Sequence, residues 1–296
     1  MVKVYLIKII KKIRRQIYKI QKIVLRRIVS KCDYKYGLNN KKRNIPQIVV
    51  SLTTFPGRIG KLDLCIKSIL RQSCKPDKII IWLGNDTSKE IAEKYLTKYR
   101  KYGVEYVIDS ENNYFSHKKY IYAFKKYTNS IIITLDDDLI YAKSLIKSLV
   151  KKYKKYPNSI IARRVHEITW TNKEMNKYNN WNWECFKIRK PSFKLCATTG
   201  AGTLFPPNIY KKDDLNYNII KEYAATADDI WLKFMSVKNK VKVVWAGNFL
   251  QMPVEIEENN NEALSNVNVA ENKNDTYIRK IIHDFHIDLN MIKDEK

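Results

Sequence analysis

The chain has 296 residues, 45% of them hydrophobic, and a formal net charge of +26. This length supports one sizeable α/β domain with appendages or two small domains, and the hydrophobic share supports a packed core. Five cysteines (Cys32, Cys65, Cys74, Cys185, Cys196) are odd in number and lack CxxC spacing, which argues against a zinc or disulfide framework and fits reduced thiols in a cytoplasmic protein. The charge is uneven. Residues 1–45 hold fifteen Lys and Arg against one acid, Asp33, so +14 of the surplus lies there and +12 on the other 251 residues.

Residues 2–30 are predicted to form one helix. Leu6, Ile9, Ile10, Ile13, Ile17, Ile20, Val24 and Ile28 recur at three- and four-residue steps, with Lys and Arg between them and no acid. The apolar runs are too short to span a bilayer, and basic residues break every candidate signal-peptide core. Two placements stay open: an anionic membrane surface, which the missing acids favour, or packing on the protein's own core or a partner subunit. Residues 31–46 read as a linker, with Gly37, Asn39, Asn40 and Pro46 as breakers.

A different pattern follows. Apolar strands are predicted at 48–53, 78–83, 104–108 and 131–135, alternating with helices over 61–71, 88–101, 117–127 and 142–155. Alternation of this kind with fully apolar strands means a mostly parallel sheet covered on both faces, with ligands beyond the strand C-termini. After residue 156 the alternation weakens. Residues 165–200 are rich in Trp, Tyr and Asn; a helix near 228–237 and a strand at 241–245 resume order. Residues 255–275 read as an acidic, Asn-rich mobile loop, followed by a short helix over 275–284.

The strand Ile131–Leu135 delivers Asp136, Asp137 and Asp138 to the mouth of the sheet. Three adjacent carboxylates repel, and a hard divalent cation compensates them directly; Asp136 and Asp138 share a side of an extended backbone. The plainer alternative is a solvated turn capping the next helix. Ala227-Asp228-Asp229-Ile230-Trp231 opens a helix and offers a general base or, again, a cap. Thr199-Gly200-Ala201-Gly202 is a small-residue loop that lets a ligand approach the backbone; alone it is a tight turn, and no Walker sequence follows. Ser116-His117-Lys118-Lys119 offers a lysine to a diphosphate or to solvent.

In their order, these segments together with Ser51-Leu52-Thr53-Thr54-Phe55-Pro56-Gly57-Arg58, Ser68-Ile69-Leu70-Arg71-Gln72 and Pro76-Asp77 resemble bacterial GT-A-fold glycosyltransferases of the capsular and cell-surface polysaccharide type, over residues 46–255. The resemblance implies a GT-A-type α/β fold and Mn²⁺ or Mg²⁺ on Asp136 and Asp138. It implies nucleotide contacts at Thr53, Arg58 and Asp86, and Lys119 on the diphosphate side. Asp137 would meet ribose or sugar, Gly200, Ala201 and Gly202 would lie beside donor sugar and acceptor, and Asp229 would be the base, with Asp228 as competitor. The sequence departs from the commonest family-two pattern at Thr53-Thr54-Phe55-Pro56 and in having Asp228 where a Glu is usual. His283 and His286 are remoter candidates for a further metal ligand.

The expectation is three parts: a basic helix and linker (1–45), a glycosyltransferase domain (46–255) and a loop with a C-terminal helix (256–296). The expected reaction is metal-dependent transfer of a hexose or N-acetylhexosamine from a UDP-sugar to a hydroxyl of a surface polysaccharide or lipid-linked glycan. Trp170, Tyr178, Trp181, Trp183 and Phe186 would face the acceptor or pack in the core. The expected location is the inner face of the plasma membrane, held through residues 1–30, with no nucleic acid as partner. Two rivals are a two-metal nucleotidyltransferase and a non-enzymatic nucleic-acid-binding protein; the concentration of charge in one helix counts against the latter.

Overall fold

The structure is a computed structural model that describes residues 2–248, 251–256 and 273–293, with side chains from Lys12 onward. Most of the predicted acidic loop lies outside the described residues. In chain order the first elements are α1 (Val2–Ser30), β1 (Ile48–Thr53), α2 (Pro56–Ile59), α3 (Asp63–Leu70), β2 (Lys78–Leu83), α4 (Lys89–Arg100), β3 (Val104–Ile108), α5 (Lys118–Lys126) and β4 (Ile131–Leu135). There follow β5 (Leu139–Ile140), α6 (Leu145–Lys155), β6 (Ile160–Ala162), β7 (Val165–Glu167), β8 (Trp170–Thr171), β9 (Glu174–Met175), β10 (Leu195–Ala197) and β11 (Thr203–Phe205). The last are α7 (Tyr217–Ala224), α8 (Asp228–Lys238), β12 (Val243–Trp245), β13 (Val254–Glu255), α9 (Lys273–Asp284) and α10 (Asn290–Lys293).

Seven strands form the central sheet in the order β12-β6-β11-β4-β1-β2-β3, and only β11 runs against the others. The register makes the two faces alternate along each strand. On β1, Ile48, Val50 and Leu52 point to one core and Val49 to the other. The first core is covered by α3, α4 and α6, the second by α5, α7, α8 and α9. Both faces are therefore dry, which is why β1, β2 and β4 read as unbroken apolar runs. The helix predicted over 61–71 is α3, and a separate one-turn helix, α2, which Pro56 starts and Gly60 ends, precedes it.

The N-terminal helix is docked, not free. Arg14, Tyr18, Gln21, Leu25 and Val29 form the face toward the domain: Gln21 donates to Met252 O at 2.7 Å, the Arg26 guanidinium donates to Ile256 O, and Arg14 lies 3.8 Å over the Phe186 ring. Its other apolar residues, Ile13, Ile20, Ile23, Val24 and Ile28, are 47–67% exposed. No helix among the described residues is long and apolar enough to cross a membrane. The stretch 31–46 straps the helix to the sheet edge. Gly37 N donates to Tyr102 O, Asn39 N to Pro76 O, and Tyr34 stacks on Tyr102.

Candidate active site

Every parallel strand of the sheet ends at the same edge, so the loops after β1, β2 and β4 converge there. Asp136, Asp137 and Asp138 follow β4 directly. On the β11 side of that strand, Thr199, Gly200, Ala201 and Gly202 lead into β11 and are held under the aspartates. Asp136 N donates to Gly200 O, the Tyr141 hydroxyl donates to Gly200 O at 2.7 Å, and Thr134 Oγ1 donates to Thr199 O at 2.8 Å. The approach is so close that a Cβ on Gly200 would lie 1.5 Å from Asp136 Oδ2, and Gly202 has φ +103°. Glycine is required at both for different reasons, one steric and one conformational.

The small-residue loop also reaches the second acidic pair. Asp228 and Asp229 open α8, and Thr199 grips both: its N–H donates to Asp229 Oδ1 at 2.7 Å, and its hydroxyl lies 2.7 Å from Asp228 Oδ2 and 2.8 Å from Asp229 Oδ1. Lys119, in the first turn of α5, closes the circle with its ammonium 2.7 Å from Asp136 Oδ1 and 3.0 Å from Asp228 Oδ2. Asp136 and Asp228, far apart in the chain, thus share one lysine, and Asp228 and Asp229 share one threonine. His117 fixes the start of α5 to the end of α7: one ring nitrogen lies 3.0 Å from Ala224 O, the other 2.8 Å from the Tyr120 hydroxyl. Burial holds His117 below the usual histidine pKa.

Five carboxylates meet here against two cations, Lys119 and Arg58; the latter, on α2, sits 2.7 Å from Asp137 and 3.2 Å from Asp138. Titration follows from that imbalance. Burial alone would discharge Lys119, but Asp136, Asp228 and Asp229 hold it charged and above the ordinary lysine range. Burial also opposes ionisation of Asp228, yet Lys119 and His117 bring its pKa below the usual carboxylate value. Asp229 is pushed up, by burial and then by Asp228 beside it. Burial and Asp136 raise Asp138 to about 6 in spite of Arg58, and burial raises Asp137, whose Oδ2 is buried without a hydrogen-bond partner.

These donors fit a divalent cation. They are hard oxygens in negative excess, Asp136 and Asp138 remain about one-third exposed, and one buried carboxylate oxygen is unsatisfied. Among the described residues no group of three or more His, Cys, Asp or Glu is placed to hold a metal ion by itself. Mg²⁺-type ions are commonly held by one or two carboxylates plus substrate phosphates, so an open site is the appropriate form. His283 is exposed and paired with Asp284, and His286 is exposed too; neither adds to this donor set among the described residues.

The expected site residues have these contacts within the protein. The Lys119 ammonium is buried between two aspartates. Thr53 uses its hydroxyl to donate to Trp82 O, joining β1 to β2, and Asp86 is exposed in the turn after β2 with the Thr87 hydroxyl on its carboxylate. Asp137 is 5% exposed and committed to Arg58. Of the aromatic segment, Tyr178 and Trp181 are buried in the core, while Trp183 is exposed and stacked on His166. Nothing in the sequence singles out Tyr141, which acts on the backbone of Asp136 and Gly200, or the bridging role of Thr199, which acts on the carboxylates of Asp228 and Asp229.

The comparisons agree with this geometry. The sequence profile described as Glycosyl transferase family 2 matches residues 57–211, just over half of the chain. No curated protein matches significantly. Among solved structures, "Mannosyltransferase PcManGT from Pyrobaculum calidifontis in complex with GDP-Man and Mn2+" is similar at a TM-score of 0.50 and 10% identity, over 93% of this chain and 74% of that one. S. aureus TarS 1-349 is similar at a TM-score of 0.46 and 15% identity over 71% of this chain, which spans 60% of that fragment. An α/β fold with a mostly parallel seven-stranded sheet is the GT-A architecture, and this chain belongs to glycosyl transferase family 2.

Proposed function

We propose that the enzyme moves a hexose or N-acetylhexosamine from a UDP-sugar to a hydroxyl of a surface polysaccharide or lipid-linked glycan. The observation that carries this reading is the single cluster formed by Asp136–Asp138, Asp228, Asp229, Lys119 and Thr199 at the strand C-termini. Asp136 and Asp138 would hold Mn²⁺ or Mg²⁺, which supplies charge neutralisation for the departing nucleoside diphosphate. Thr53, Arg58 and Asp86 border the nucleotide side of the same edge. Asp137 keeps Arg58 pointed at the aspartate run. Lys119 balances the charge between the two acidic pairs and holds Asp136 and Asp228 at a fixed separation.

Asp229 is the base in this reading. Its raised pKa makes it a competent proton acceptor from an alcohol near neutral pH, whereas Asp228 is bound to Lys119 and poorly basic. Gly200, Ala201 and Gly202 supply a backbone surface close to Asp136, where a sugar can lie against the chain. PcManGT is in complex with GDP-Man and Mn2+, so GDP-mannose is the second donor to test and manganese the first metal. The exposed apolar face of α1, flanked by Lys12, Arg15, Lys19 and Arg27, suits an anionic membrane on the cytoplasmic side.

A panel of UDP- and GDP-sugars assayed for nucleotide release, with Mn²⁺ and with EDTA, tests the reading. UDP release that needs Mn²⁺ is the expected result. Turnover of no donor, or turnover indifferent to EDTA, contradicts it.

A further inference from the structure

Arg163 follows β6 and is fully buried, with no acid in ion-pair contact among the described residues. Its guanidinium donates to the Ser148 hydroxyl and, at 3.5 Å, to Ala246 O, while its Nε has no hydrogen-bond partner. Burial is the one influence on its titration and lowers its pKa to about 10. A guanidinium enclosed without a counter-ion is costly, and truncation of a surface charge elsewhere would not relieve it.

Arg163 does not itself line the neighbouring cavity of roughly 290 Å³, but its partners Ser148 and Ala246 do, with Lys151, Lys152 and Lys155 of α6, Arg189, Trp245 and Gly247. No acidic residue lines it, and these four cations have no acidic partner among the described residues. Arg189 rests over the Trp245 ring at 5.3 Å, so its planar fork is already oriented. Lysines are abundant in this chain, and a surface lysine group alone would mean little. Here four cations and no acid line one cavity, and a buried arginine without an acidic partner is bonded to two of its lining residues, Ser148 and Ala246.

The cavity adjoins the reaction edge on the side away from β1 and β2. Trp245 ends β12, Ala246 N donates to Ala162 O, and Arg163 N donates to Gly202 O at 2.9 Å. It therefore lies past the small-residue loop, on the half of the sheet that the nucleotide does not need. Its volume is at the lower end of the roughly 300–1,000 Å³ range of small-ligand sites, enough for one charged sugar unit. We propose that this cavity binds a phosphate group borne by the acceptor glycan, a subsite that rests on the glycosyltransferase reading above and narrows its acceptor to a phosphorylated one.

Calorimetric titration of the full chain in EDTA tests this, with glucose 6-phosphate as probe and glucose as neutral control. Glucose 6-phosphate should bind and glucose should not. The Lys151→Glu, Arg189→Glu double variant should weaken binding by about tenfold or more, through loss of charge-assisted hydrogen bonds. The matched Lys94→Glu, Lys98→Glu reversal on α4, with the same net charge, should change it by less than about twofold. No binding by the unmodified protein, or equal weakening in both variants, overturns the proposal. Vesicles of phosphatidylglycerol form the second arm. If Lys151→Glu, Arg189→Glu abolishes vesicle binding but leaves glucose 6-phosphate bound, the phosphate is a lipid headgroup and the proposal fails; the reverse pattern supports it. Thermal melts of both variants separate binding loss from misfolding. The titration uses neither donor nor turnover, so failure of sugar transfer and failure of this subsite are read independently.

Discussion

At the scale of single residues, the two aspartates that open α8 have opposite characters although they are neighbours. Asp228 is ion-paired with Lys119 and Asp229 is not, and that difference is what the proposed base role of Asp229 rests on. Asp229→Asn should lower kcat by about 10²–10⁴-fold, the usual contribution of a positioned base. The wild-type rate should fall as pH drops below neutral, because Asp229 must be ionised to accept a proton. Stability runs the other way. A carboxyl with a raised folded pKa supports the fold below the unfolded carboxylate pKa, and that support is lost as pH rises through the folded value. Asp229→Asn should therefore raise Tm by about 2–4 °C at pH 8 and not at pH 4, measured by calorimetry. Loss of activity without that gain would show that Asp229 is not ionised at a cost in the fold. Asp136→Ala with Asp138→Ala should remove Mn²⁺-dependent donor binding and reduce turnover by about 10³-fold or more, since metal stabilisation of the leaving group is worth several kcal/mol.

At the scale of elements, the strands before residue 136 and their helices were readable because both faces of β1, β2 and β4 are buried, and burial on both faces leaves an uninterrupted apolar run. The aspartate run was readable for the same reason: polar residues directly after such a strand stand at the ligand edge. β6 and β11 were not readable. Each has three residues in the sheet, and nothing in Thr203-Leu204-Phe205 marks it as the one strand that runs backwards. The meeting of Thr199 with Asp228 and Asp229 depends on that reversal, so it was hidden too. Lys119 looked like a phosphate ligand because its chemistry permits it; only the packing of α5 against β4 shows that two aspartates already claim it. Gly200→Ala tests the loop as an element. The added methyl must displace Asp136, so a loss of about 1–3 kcal/mol in stability together with loss of activity is expected from denaturant melts and UDP-release assays. A variant as active as wild type would mean that the loop is looser than its contacts indicate.

At the scale of the whole molecule, α1 holds two surfaces at once. Its Tyr18, Gln21, Leu25 and Val29 side is fastened to the domain near β13, and its Ile20, Ile23 and Val24 side is open. Deleting residues 1–30 would therefore remove both fold contacts and any membrane contact. Ile20→Ser, Ile23→Ser, Val24→Ser isolates the second. Each apolar side chain taken out of a bilayer costs about 1.5 kcal/mol or more, so sedimentation with phosphatidylglycerol vesicles should fall by at least about tenfold while Tm stays unchanged. Undiminished sedimentation would remove the membrane from the account of α1.

The position of β11 sets an order of assembly. It lies between β4 and β6, both made earlier by the ribosome, so a nascent chain that has reached Ala162 carries one unpaired edge on β4 and two on β6, whose other neighbour, β12, is also still to be made. Such edges are prone to stick to other chains until they are paired. The insertion that pairs them is also the movement that carries Gly200 beneath Asp136 and Thr199 to α8. Closure of the gap between β4 and β6 and assembly of the aspartate cluster thus go together, and regain of UDP release on refolding should keep pace with amide protection in β4 and β11.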